Sequence, residues 1–415
     1  MANTFKFGNG EWAVGKETAL AYNDENGNFK PLPFTFDRAS TATVVNKDGL
    51  IETVGVDEPR IDFLNNTKGH LLLEPSRTNT VTYSEKADEW GRNNSQIPIL
   101  DTSINNPYGV AGAYTTSGNG TANFPQYNLG TINATSSGTA TVSVFLKQYE
   151  APYIHVIVTG VDIDGFATSS LYKFTFATET LSRISGADAD STSVQDYGNG
   201  WYRIILTYNY DGNADFTFRL RNYNGSSEKL EIGTSKTYAW GAQLEEGSYA
   251  TSYIPTSGST ATRSAESCNG AGNSNVFNDS EGVLYAEIAA LDETQGTSVL
   301  TISDSSLSDR LLIAFVSGKI RGEFVSGGGN ITRDASGVFI ENFNKIACSY
   351  TSNTFKVFVN GLQVGTTGTV TTALLGIVEL AFDRGDSAND FYGNVKDIRY
   401  YNTALSDSEL QALTT

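Results

Sequence analysis

The sequence predicts an all-β protein: two tandem antiparallel β-sandwiches of jelly-roll type behind a short N-terminal segment. Three observations predict it. The first is composition: 41 Gly, 21 Tyr and 22 Phe occur in 415 residues, of which 18% are charged. That profile suits short strands and tight turns, and its Gly and β-branched residues weigh against helices. Alternation is the second. In Tyr172-Lys173-Phe174-Thr175-Phe176 and in Phe216-Thr217-Phe218-Arg219-Leu220 apolar and polar residues alternate, the period of a strand with one face in a core and one in water. The third is where helix signals fall. Ser406-Asp407-Ser408-Glu409 reads as a capping box followed by Leu410 and Leu413, so one short helix is expected at the end of the chain.

Taken in order, residues 1–35 are polar and rich in Gly and Asn, with Phe5, Phe7, Trp12 and Leu20 spaced without a clear period. A stretch of this kind cannot bury enough surface to fold alone, so it is expected to order against another surface, as an anchoring segment. Residues 36–255 are expected to form the first sandwich with an extended lead-in. Within them 142–146, 153–158, 172–176, 202–208, 216–220 and 237–244 carry strand signals at sandwich spacing. Residues 256–275, with Ser257-Gly258-Ser259-Thr260 and Asn269-Gly270-Ala271-Gly272-Asn273, read as a linker. Residues 276–415 are expected to form the second sandwich. Their clearest hairpin is 355–359, then Asn360-Gly361, then Leu362-Gln363-Val364, because Asn-Gly accepts positive φ at both turn positions. No segment recurs at a fixed period, which weighs against a propeller or solenoid.

A net charge of −18 should repel nucleic acid and anionic lipid, so no nucleic-acid partner is expected. No apolar run approaches the roughly 20 residues needed to span a bilayer, and no membrane insertion is expected. Met1-Ala2-Asn3-Thr4 lacks the charged and apolar regions of a signal peptide. Synthesis in a cytoplasm follows, with any outside role reached by another route such as lysis. Two cysteines, Cys268 and Cys348, are no disulfide framework. Cys348 sits in the apolar run Ile346-Ala347-Cys348 and is expected to be a buried thiol; a Cys268–Cys348 bridge is the minor alternative.

Residues that could carry chemistry are few. His70 and His155 are the only imidazoles, and both read as ordinary strand residues rather than members of a triad or metal site. Neither a Gly-x-Ser-x-Gly elbow, a Walker A loop, a Cys-x-x-Cys pair nor a His-Glu-x-x-His helix is present. Glu287 with Asp292 and Glu293 is the best carboxylate group for a glycosidase pair. Glu287 and Asp292 are five apart, which places them on opposite faces of a strand, so solvated surface is the preferred reading and no catalytic residue is expected. Asp383 to Asp390 and Asp162-Ile163-Asp164-Gly165 could hold calcium, although Asp and Asn are also the residues of plain turns; no other cofactor is expected. Arg384-Gly385-Asp386 matches an integrin-type tripeptide and is read as chance. Aromatics beside polar residues can stack on sugars. Tyr197, Trp201, Tyr223 and Trp240 are the candidate glycan contacts, although most aromatics in such sandwiches fill the core, as Tyr202 and Tyr238 are also placed to do.

Two segments carry a resemblance. Phe36-Asp37-Arg38-Ala39-Ser40, Pro59-Arg60-Ile61-Asp62-Phe63 and residues 71–79 (LLLEPSRTN) resemble a stretch recurrent in tail, fibre and head-decoration proteins of tailed bacteriophages. Trp240-Gly241-Ala242-Gln243-Leu244-Glu245-Glu246-Gly247 through Thr262-Arg263 resembles the end of the sandwich usually found downstream. The C-terminal part, through Asn344-Lys345-Ile346-Ala347, the Asn360-Gly361 hairpin and residues 393–402, is similar to concanavalin A-like, laminin G-type sandwiches. Its glucanases carry Glu-x-Asp-x-x-Glu on one strand, which this chain lacks. The resemblance implies a non-enzymatic virion protein, a head or tail fibre or decoration on the virion surface. It also implies a homotrimer, docked to other virion proteins through its N-terminus and binding cell-surface glycans. A bacterial surface adhesin and a glycan-degrading enzyme are the alternatives.

Overall fold

The computed structural model describes residues 5–23, 30–118, 125–163, 166–212, 214–223 and 235–415, with the side chains of 22–23, 30, 161–163, 166–168 and 223 set aside. The protein is all-β, and its chain forms two compact units. One comprises Met1–Thr41, Val54–Pro75 and Ser264–Thr415; the other comprises Ala42–Thr53 and Ser76–Arg263. Among the described residues no helix is long and apolar enough to cross a membrane.

The second unit is a sandwich of two six-stranded antiparallel sheets among the described residues. One sheet runs Ile99–Asn105, Ala111–Thr116, Thr237–Glu246, Gly138–Gln148, Trp201–Tyr210, Ser191–Asp196. The other runs Gly91–Asn93, Gln126–Ile132, Phe216–Tyr223, Tyr153–Ile163, Phe166–Thr175, Thr180–Gly186. Five of the six expected strand signals lie within these strands, and the sixth, 172–176, runs one residue past Thr175. The alternation read from sequence does the packing: Val142, Val144 and Leu146 meet Ile154, Val156 and Val158, with Phe174, Phe216, Phe218 and Leu220, in one core. The opposite face of the first sheet is also covered, by a smaller cluster of Ile51, Ala113, Phe145, Trp201, Tyr238, Trp240 and Tyr253.

In the first unit a five-stranded sheet, Gly329–Ala335, Lys319–Ser326, Arg310–Val316, Ser298–Ser303, Glu379–Ala381, faces a larger one. The larger sheet runs Ser267–Asn269, Lys30–Asp37, Thr18–Asn23, Phe5–Gly8, Gly393–Tyr401, Gly282–Ala289, Asn344–Tyr350, Thr354–Val359, Leu362–Gln363, with further short strands beside it. Leu284, Ala286 and Ile288 point into the core; Val283 and Tyr285, on the other face, pack with Leu410 of the helix Asp407–Thr414. The capping box forms as expected, Ser406 N donating to Glu409 Oε2 at 2.8 Å. So does the hairpin, where Asn360 and Gly361 take φ of 48° and 81°.

The described strands within 5–23 and 30–37 belong to the larger sheet of this first unit and do not stand apart as a separate N-terminal segment. Phe5–Gly8 pairs along Gly393–Tyr401, with Phe5 opposite Tyr400 and Phe7 opposite Ile398. Phe5, Phe7, Phe34 and Phe36 are buried in its core. The period was present in the sequence but short: from 31 to 38 exposed and buried residues alternate one by one. Pro31 and Pro33 disguise that strand. They fit because the neighbouring strand Ser267–Asn269 reaches only Thr35 to Asp37, leaving no ladder bond for the missing N–H groups to make on that side. Likewise the expected linker 256–275 is not a solvated tether: Arg263, Glu266, Cys268 and Ala271 are buried.

Residues within 38–79 and 242–266 form polar clasps. Arg38, Arg60, Glu74 and Glu266 are all buried in the first unit. Arg38 Nη1 donates to Glu266 Oε1 at 2.7 Å, Arg60 Nε donates to the same oxygen at 2.8 Å, and Arg60 Nη1 meets Glu74 Oε2 at 2.8 Å. Burial lowers the pKa of Arg60, but Glu266 and Glu74 outweigh it and hold the group above its ordinary value. Two cations and two anions cancel there, which makes the cluster tolerable away from water. In the second unit Asn79 is fully buried, donating to Ala242 O and Ile254 O and accepting from Leu244 N and Val81 N. Gln243 and Glu245 bind the returning turn through Ile254 N and Thr251 N. These motif residues hold the fold.

Candidate functional site

The aromatics read as glycan contacts separate in the structure. Trp201 and Trp240 are 1% and 2% exposed. Trp240 lies against Phe145, Tyr108 and Tyr253 with ring centroids 4.7–5.3 Å away, and Trp201 donates its indole N–H to Asn105 O at 2.9 Å. Neither offers a ring face to a ligand, because sandwich aromatics fill the second, smaller core. Tyr197 is half-buried on Phe145 at 4.8 Å. Tyr223 stands opposite Tyr153 by backbone register; its side chain lies outside the described residues.

The other sequence candidates take structural roles. Glu287 faces Lys345 and Asp397 across its strand and lies 3.7 Å from Lys396 Nζ, while Asp292 caps a turn through Thr294 N. These carboxylates form no pair. In 383–390, Asp383 accepts from Gly385 N, Arg384 and Asp386 pair at 2.6 Å, and Asp390 accepts from the Tyr392 hydroxyl. The Arg-Gly-Asp charges therefore neutralise each other. Asp164 and Gly165 lie outside the described residues. Among the described residues no three His, Cys, Asp or Glu side chains are placed to hold one metal ion. Both cysteines are free and buried, and burial raises both thiol pKa values. Burial lowers His70 to about 4, with Lys396 adding to the shift.

What the fold does assemble is a polar, cationic sheet face in the second unit. Phe216–Tyr223 sends Phe216, Phe218 and Leu220 inward, so Arg219 and Arg221 point outward. Register then builds rows across the sheet. Gln126, Arg221, His155 and Lys173 stand in one; Asn128, Arg219, Ile157 and Leu171 stand in the next. Lys173 Nζ lies 4.9 Å from the centre of the Tyr153 ring. His155 is lowered to about 4, first by burial and then by Arg221 and Lys173, so it is neutral at physiological pH. At the end of the face a cleft of about 280 Å³ is lined by Gly91, Arg92, Asn93, Gln126, Asn128 and Arg219. Guanidinium donors beside side-chain amides suit hydroxyl and anionic oxygens. Sequence reasoning had the signal, since both alternating segments were recognised, but it looked at their apolar half. Charge counted strand by strand on the polar half would have found the face.

A second cleft, of about 500 Å³, lies in the first unit beside Phe339, which is 73% exposed. Two of its amides are already committed: Asn344 Nδ2 donates to Phe339 O and Asn342 O, and Asn360 Nδ2 to Asn344 Oδ1.

Residues 286–411 match the family model of the Concanavalin A-like lectin/glucanases superfamily. No curated protein sequence matches the chain. Among solved structures, the CBM40 of the Ruminococcus gnavus IT-sialidase aligns at 19% identity and a TM-score of 0.30, covering 35% of this chain and 94% of that one. Domains LG4-5 of the mouse laminin alpha1 chain align at 11% identity and 0.25, covering 67% and 88%. Trypanosoma rangeli sialidase aligns at 11% identity and 0.29, covering 96% and 81%. At these levels the three structures assign no residue and no activity to this chain.

Proposed function

We propose that this chain is a non-enzymatic glycan-binding protein displayed on the surface of a tailed-phage virion. One observation carries the binding half: a rigid sheet face presenting Arg219, Arg221 and Lys173 beside the amides of Gln126 and Asn128. Backbone ladders on both sides fix the spacing of these residues, so little backbone order is lost when a ligand arrives. The concanavalin A-like match of residues 286–411 agrees with a binding role for the first unit as well. The virion half rests on the sequence resemblance of residues 36–79 and 240–263. Trimeric copies on one particle would multiply a modest affinity per site.

The test is a glycan array probed with the full chain, together with an assay for reducing-sugar release from each glycan bound. Binding without release is expected. Release that is lost on Glu287→Gln would make the protein a hydrolase. Mass spectrometry of purified particles tests the location.

A further inference from the structure

The chemical class of the glycan can be read from the same face, and this inference rests on the binding role proposed above. The chain holds 46 Asp and Glu against 28 Lys and Arg. The six strands of this one sheet reverse that balance. They carry Arg92, His155, Lys173, Arg183, Arg219 and Arg221 and a single acid, Asp162, whose side chain lies outside the described residues. Arg183 is neutralised by Asp188 at 2.5 Å. Arg219 and Lys173 have no ion-pair partner among the described residues. Arg221 and Lys173 flank His155 in one row, which sets them about 10 Å apart at ordinary strand spacing.

We propose that this face binds an anionic glycan, a saccharide chain whose carboxylate or sulfate groups meet Arg219 and Lys173 while its hydroxyls meet Gln126 and Asn128. A guanidinium takes two anionic oxygens at once, whereas a neutral sugar leaves these cations to water and gains only the amide contacts. Each exposed ion pair adds little, so a polymer spanning several cations is held far better than a monosaccharide. The negative charge of the rest of the chain confines a polyanion to this face.

The experiment titrates the full chain, at low salt, with polygalacturonate (carboxylated), chondroitin sulfate (carboxylated and sulfated) and dextran (neutral). Both acidic polymers should bind at least about ten times more tightly than dextran, and 0.5 M salt should weaken them, since exposed charges are then screened. Arg219→Glu with Lys173→Glu should lose at least about tenfold in affinity at an unchanged melting temperature. If that pair fails to fold, Arg219→Gln with Lys173→Gln replaces it, with the same expected loss. Dextran binding as well as the acidic polymers, or a double variant binding as tightly as the parent, overturns the anionic class and leaves glycan binding standing. Silence with both acidic polymers overturns the anionic class, and silence across the glycan array as well overturns the binding role. Duplex DNA competing as well as the acidic saccharides also overturns the assignment, because the site would then read charge alone.

Discussion

Replacing Phe7 by Ala should destabilise the C-terminal sandwich, although Phe7 and its strand partner Ile398 lie at opposite ends of the chain. Phe7 is 1% exposed. Its ring meets Phe34 at 5.0 Å, Trp12 at 5.5 Å and Phe382 at 6.3 Å, all at steep angles. Truncating a buried Phe to Ala costs about 3–5 kcal/mol, transfer and cavity together. The strand sits between Gly393–Tyr401 and Thr18–Asn23, so neighbours on both sides hinder collapse and the upper half of that range is expected. For a unit of roughly 200 residues this lowers the melting temperature by about 10 °C. Hydrogen exchange read by mass spectrometry assigns the loss: peptides within 282–289 and 393–401 should lose about 4 kcal/mol of protection, and those within 201–210 none. A change below about 0.5 kcal/mol in 393–401, or an equal loss in 201–210, would refute the claim that the N-terminal strands belong to this unit.

Deleting residues 1–37 should leave the first unit unfolded or insoluble while the second keeps its own melting transition, checked by calorimetry. Glu266→Gln, which leaves Arg38 and Arg60 short of a buried anion, should cost about 3–5 kcal/mol, measured by urea titration. Folded His70 and His155 titrate near 4 against an ordinary 6.5. The unfolded chain therefore binds more protons between those values, and stability present above pH 6.5 is withdrawn as pH falls to about 4, by up to about 3 kcal/mol for each. His155→Gln should flatten that part of the melting-temperature profile. Cys268 and Cys348 should ignore a thiol reagent in the native protein and react fully in denaturant.

Local signals were legible in the sequence because they act over a few residues. Alternation placed the strands at 172–176 and 216–220, the capping box placed the helix, and Asn360-Gly361 placed its turn, while the exposed strands Thr180–Gly186 and Ser191–Asp196 gave no such signal. Assignment to units was not legible, because it depends on partners hundreds of residues away: Lys6 pairs with Arg399, and Cys268 with Phe36. Low apolar content makes 1–35 look like an anchor that needs another surface to order on, and 256–275 like a linker. A few inward residues suffice when the rest of a core already exists, as Phe5, Phe7 and Cys268 show. At the site, aromatic side chains drew attention as sugar platforms, yet Trp201 and Trp240 have the size that a core takes up. Arg219 and Lys173 have no local motif, and only register across three strands brings them to one face.

Hydrogen exchange of the full chain with and without a saturating acidic polysaccharide tests the central claim most directly. Protection should rise in peptides covering 126–132, 153–159, 171–175 and 216–222, and stay unchanged in the first unit's Gly393–Tyr401. Protection confined to peptides around Phe339 and Asn342, with 216–222 unmoved, would place binding in the other sandwich and contradict the account.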